Sequence, residues 1–141
     1  MKKGFSVLFL FSLILLSACG TKKSDLIVGT WKFEDAIIQE VKDTSGAANA
    51  QIEAQMNAMK ADMRKTYSWA FEKDGSYTAS YGGTTYKGKW TMSADEKMIY
   101  TTSDQQAKAD TCLLLKLDSK NLVISQKDDQ GRTSKTTFGR K

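Results

Sequence analysis

From Tyr67 to the C-terminus the chain never runs more than about ten residues without a turn signal. Asp74-Gly75, Gly82-Gly83, Ser93–Glu96, Ser103–Ala109, Asp118–Asn121 and Asp128–Gly131 cut it into short segments. Within them aromatic and aliphatic residues alternate with polar ones: Tyr67, Trp69 and Phe71 against Ser68, Ala70 and Glu72. Period two over such short stretches means strands, not helices. A chain divided in this way is restricted to consecutive antiparallel hairpins, in an open sheet or a closed one.

The turns carry register. A two-residue loop at Asp74-Gly75 would send Phe71 and Tyr77 to opposite faces. A three-residue loop, Lys73-Asp74-Gly75, pairs Phe71 with Tyr77 and puts Gly75 in the left-handed position of a bulge. At Gly82-Gly83, Tyr81 opposite Thr84 pairs Ala79 with Tyr86 and Tyr77 with Gly88. Tyr77, Tyr81, Tyr86 and Trp90 then share one face, so two independent turns agree. A four-residue loop, Asp118 to Asn121, sets Leu117 opposite Leu122 and Leu115 opposite Ile124. The Ser93–Glu96 turn has no such signal, and its register stays open.

Upstream, Ile27 to Glu34 alternates as a first strand, with Ile27, Trp31 and Phe33 on one side, and Ala36–Val41 extends it past a bend. Ala47 to Thr66 is rich in Ala, Gln, Met and Lys and reads as a helix. Ile52, Met56, Met59 and Met63 fall on one apolar stripe of it. The total is eight strands with one helix between strands 1 and 2. An open meander would leave two edges exposed. The expected fold is therefore all-β, an eight-stranded antiparallel up-and-down barrel over residues 27–141.

The N-terminus is of another kind. Lys2 and Lys3 precede Phe5–Leu16, apolar except for Ser6 and Ser12. About a dozen helical residues reach about 18 Å, short of the roughly 30 Å of a bilayer core. A basic start, a short apolar core and small residues at the end make an export signal. Leu16-Ser17-Ala18-Cys19 resembles a bacterial lipobox. The resemblance implies cleavage after a signal of residues 1–18 and lipidation of Cys19, with residues 19–26 as lipidated terminus and linker. Two or more acyl chains hold a protein stably on a membrane where one does not. The expected address is the bacterial cell envelope, at its outer membrane. Losing Lys2 and Lys3 takes the formal charge from +5 to +3, and no basic patch suited to nucleic acid is visible.

Leu26-Ile27-Val28-Gly29-Thr30-Trp31, Phe71 with Asp74-Gly75-Ser76-Tyr77, Gly88-Lys89-Trp90, and the Leu115–Ile124 hairpin together resemble the lipocalin-like domains of bacterial lipoproteins. That resemblance implies a barrel that binds small ligands, without assigned chemistry.

The residues offer little to catalysis. There is no histidine, so the commonest general base and metal ligand is missing. The acidic pairs Asp95-Glu96 and Asp128-Asp129 match no calcium loop. Cys112 lies among Thr111, Leu113 and Leu114, with nothing to lower its pKa. We expect no enzyme, no metal and no cofactor. The expected inner face gathers Trp31, Phe33, Trp69, Phe71, Tyr77, Tyr86, Trp90, Met98, Tyr100, Leu115, Leu117, Leu122 and Ile124. Eight strands enclose a space that either fills with these side chains or holds one small ligand, and both outcomes are open. If hollow, the candidate ligand-binding residues are Trp31, Phe33, Trp69, Phe71, Tyr77, Tyr86, Trp90 and Tyr100, with Met56 and Met59 of the helix as a lid. If filled, the protein acts through partners, as an inhibitor or an envelope assembly factor.

Overall fold

The computed structural model describes residues 21–38, 47–105 and 109–141. The expected signal peptide and Cys19 lie outside the described residues. The elements in chain order are α1 (Lys23–Leu26), β1 (Gly29–Ile38), α2 (Ala47–Thr66), β2 (Ser68–Phe71), β3 (Ser76–Tyr81), β4 (Thr84–Met92), β5 (Met98–Ser103), β6 (Asp110–Leu117), β7 (Asn121–Lys127) and β8 (Thr133–Arg140). The eight strands form a closed barrel in sequence order, with β8 returning to pair antiparallel with β1. The expected fold class holds. The linker is less extended than its composition suggests, because α1 adds a helical turn just before β1.

Two of the argued turns have the expected register. Phe71 pairs with Tyr77, and Gly75 takes φ +81°. Asp74 stabilises this turn by accepting the Ser76 amide at 2.8 Å. Tyr81 pairs with Thr84, and Gly82 and Gly83 sit at φ +57° and +84°, the conformation a two-residue hairpin of matching twist requires.

Two face assignments are corrected. The turn after β4 pairs Trp90 with Thr101 and Met92 with Ile99. Ile99, Thr101 and Ser103 therefore point inward and are buried, while Met98 and Tyr100 point outward. The register depends on Glu96, a non-glycine residue at φ +55°, which sequence patterning does not reveal. In β6 a bulge between Leu114 and Lys116 shifts the ladder. Leu117 pairs with Leu122 as expected, but Leu114 rather than Leu115 meets Ile124. Leu114 is buried and Leu115 is 48% exposed, since one extra residue reverses every side chain beyond it.

The barrel interior divides in two. One end, the base, holds Ile27, Trp31, Phe71, Ile99, Leu122 and Ile124, all nearly or completely buried. Phe71 meets Trp90 edge-on at 5.5 Å between ring centroids, a geometry worth about 0.5–1.5 kcal/mol beyond burial. Both indole N–H groups donate to backbone carbonyls, Trp31 to Ile27 at 2.7 Å and Trp90 to Glu72 at 2.9 Å. Arg140 closes the base from outside. Its guanidinium lies 4.5 Å from the Trp31 ring and donates to the carbonyls of Val28, at 3.1 Å, and Leu26.

The helix is bound at the other end. Lys60 pairs with Asp35 at 3.0 Å, and Arg64 Nε donates to the Glu34 carbonyl at 2.7 Å. These contacts rotate the packed side of α2 away from the expected stripe. Met63 reaches the core and Met56 is half-buried, whereas Ile52 and Met59 are exposed at 38% and 42%.

Candidate ligand-binding cavity

Beyond the packed base, the half of the barrel nearest α2 is hollow. The space measures about 370 Å³, within the range of small-ligand sites. Its walls come from inward positions near the strand ends: Trp69 of β2, Tyr77, Ala79 and Tyr81 of β3, and Tyr86 of β4. Thr101 and Ser103 of β5, Asp110 of β6 and Gln126 of β7 complete the circuit, and Met63 and Tyr67 come from the end of α2 and the residue after it. Tyr81, 44% exposed, stands at the rim.

Small residues across the ladders leave this room. Trp69 is paired with Ala79, and Ala79 with Tyr86, so one methyl separates two large rings. Tyr77 is paired with Gly88, whose missing side chain lets the phenol ring lie against the backbone of β4. Trp69, which lines the space, meets Phe138 of the packed interior in a tilted contact at 5.4 Å between ring centroids. Tyr67 stands edge-on to Trp69 at 6.3 Å and to Tyr81 at 5.7 Å.

Burial holds two phenols and one thiol here in their neutral forms. Burial raises the Tyr67 phenol, and the Asp110 charge adds to that. Burial likewise raises the Tyr77 phenol, against the hydroxyls of Thr101 and Ser103 facing it. Burial pushes the Cys112 thiol up to about 12, only partly offset by Gln126 Nε2, which donates to its sulfur at 3.1 Å. A thiol so placed is a poor nucleophile at neutral pH. Among the described residues, no buried side-chain nitrogen or oxygen lacks a hydrogen-bond partner, and no cluster of three His, Cys, Asp or Glu is placed to hold a metal.

Of the residues singled out from sequence, Trp69, Tyr77 and Tyr86 line the cavity. Trp31, Phe33, Phe71 and Trp90 belong to the packed interior instead. Tyr100 is on the outer face. Met56 and Met59 do not reach the cavity, and Met63 does. Thr101, Ser103, Asp110 and Gln126 were missed. Alternation could have found Gln126, two after Ile124, but the β6 bulge reverses the side that Leu115 and Leu117 would have assigned to Asp110. Thr101 and Ser103 depended on the unresolved register of β5.

Comparison with known proteins gives a fold likeness. A lipocalin-like protein from Bacteroides uniformis is similar in structure, with a TM-score of 0.52 and 15% identity over 82% of this chain and 99% of that one. A DUF4847 family protein from Bacteroides vulgatus is similar too, with a TM-score of 0.52 and 14% identity over 82% of this chain and 94% of that one. The fold is lipocalin-like. No family model matches the chain, and no curated protein matches it.

Proposed function

We propose that this chain is a lipid-anchored envelope protein whose barrel binds a small apolar or aromatic molecule in the hollow half. The observation that carries the reading is the cavity of about 370 Å³, walled by aromatic rings with a few hydroxyl, amide and carboxylate groups among them. That mixture of broad apolar contact and sparse polar anchors is what small-ligand sites use to bind and to orient. The buried, protonated Cys112 and the lack of histidine favour binding over catalysis.

The test fills the cavity. A neutral fluorophore, N-phenyl-1-naphthylamine, should bind the purified protein with a blue-shifted emission. Ala79→Leu, which inserts bulk between Trp69 and Tyr86, should weaken it at least about tenfold while circular dichroism stays that of the barrel. Binding indifferent to Ala79→Leu would place the site elsewhere. If no probe enters at all, the cavity reading fails. The exposed Tyr100, Leu113 and Leu115 then become the surface to examine for a protein partner.

The anchor reading rests on the lipobox and on topology. The described chain begins with α1 beside Arg140, at the base. A chain tethered at Cys19 would thus present its cavity mouth away from the bilayer. Cys19→Ser should leave the protein unprocessed or free of membranes. Membrane fractionation that still finds processed Cys19→Ser protein in the pellet overturns the anchor.

A further inference from the structure

We infer that the cavity selects a ligand with a positive charge, an organic ammonium ion on a small apolar or aromatic body. This rests on the reading of the cavity as a ligand site and narrows it to one chemical class.

The walls carry the argument. Tyr67, Trp69, Tyr77, Tyr81 and Tyr86 line the space, and Asp110 is its one carboxylate among the described residues. No described lining residue is basic. An aromatic face is the negative pole of the ring quadrupole, and several rings around one space attract a cation, above all an alkylated ammonium that sheds water cheaply. Tyr67 stands at 83° to Trp69 and 81° to Tyr81, so these lining rings meet edge to face and not in a stack.

Asp110 adds a full charge to the same space. It lies on the same side of β6 as the buried Cys112 and Leu114, but at the mouth end of the strand, where it is exposed. Its charge adds, after burial, to the raising of the Tyr67 and Tyr77 phenols. Among the described residues it takes part in none of the ion pairs, which lie at Asp35, Asp95, Asp118 and Asp128. A cation seated among the rings can pair with this exposed carboxylate, an anion is repelled by it, and a neutral molecule gains nothing from it. The neutral phenols, Thr101 and Ser103 supply hydrogen bonds that suit a polar substituent of either kind, so they do not alter the preference.

An isosteric series tests the charge alone. Benzyltrimethylammonium, its neutral carbon isostere neopentylbenzene, and the anion 4-phenylbutyrate compete with bound N-phenyl-1-naphthylamine. The cation should displace the fluorophore at about tenfold lower concentration than the neutral isostere, with the anion weakest. Asp110→Asn, almost equal in volume, should weaken the cation about tenfold and narrow its lead. The inference is overturned if the neutral isostere or the anion competes as well as the cation, or if Asp110→Asn leaves the cation's lead intact. In those cases the cavity itself stands as a site for uncharged or anionic molecules. If the fluorophore does not bind the unaltered protein, the cavity reading and this inference fall together.

Discussion

Trp31→Ala should lower the stability of the barrel by about 4–5 kcal/mol, the upper part of the range for deleting a buried aromatic ring. The indole is fully buried. It is held from two sides, by the Ile27 carbonyl that accepts its N–H at 2.7 Å and by the Arg140 guanidinium 4.5 Å away. Alanine leaves a void that the surrounding strands cannot close, because β1 is fixed by both β2 and β8. It also leaves the Ile27 carbonyl without its donor, an added cost of about 1 kcal/mol. Domains of this size are stable by about 5–15 kcal/mol, so the variant should sit near its unfolding threshold. Urea denaturation followed by far-ultraviolet circular dichroism measures it. A loss below about 2 kcal/mol would mean that the base is not close-packed.

Gly88→Ala should cost about 3 kcal/mol, at the upper end for forced overpacking. A methyl group there would overlap the Thr102 carbonyl on β5 and come within 2.8 Å of the Tyr77 ring. Backbone on the neighbouring strand cannot swing aside as the end of a side chain can, so β4 and β5 must part. Tyr77 must also leave its place on the cavity wall. The substitution therefore joins two readouts, a lower thermal midpoint and weaker uptake of N-phenyl-1-naphthylamine. A variant with unchanged midpoint and unchanged uptake would show that the ladder yields without strain and that Tyr77 does not rest on Gly88.

How far each feature was legible depends on how locally it is encoded. Asp74-Gly75 and Gly82-Gly83 set their hairpins because a positive φ is nearly a glycine property, and the aromatic alternation on β2–β4 then confirmed the pairing. The turn before β5 reaches the same kind of conformation at Glu96, where nothing in the residue type signals it, so Tyr100 was placed inside. The β6 bulge falls in Leu113-Leu114-Leu115, a run whose alternation is erased by its own uniformity. The division of the barrel into a packed base and a hollow mouth was not legible at all. It depends on Ile27, which precedes β1, and on Arg140, the last residue of β8, which together close the base, and on Ala79 and Gly88, whose effect is the volume they omit. Tyrosines on β3 and β4 were found by parity, while their polar companions across the barrel were not.

The seam between β1 and β8 also governs when this barrel can form. Arg140 reaches the Val28 carbonyl across 112 residues of chain. Joining ends that far apart costs loop-closure entropy before any contact repays it, and chains dominated by distant pairings fold in milliseconds to seconds, not microseconds. During synthesis β1 is the first of the eight strands to emerge, and β8, its partner across the seam, is the last of the eight. Until β8 arrives, β1 keeps an unpaired row of amides and carbonyls, the kind of edge on which chains aggregate. Arg132, Lys135 and Arg140, on or beside β8, keep that strand's own edge cationic until it pairs, and ring closure waits for it.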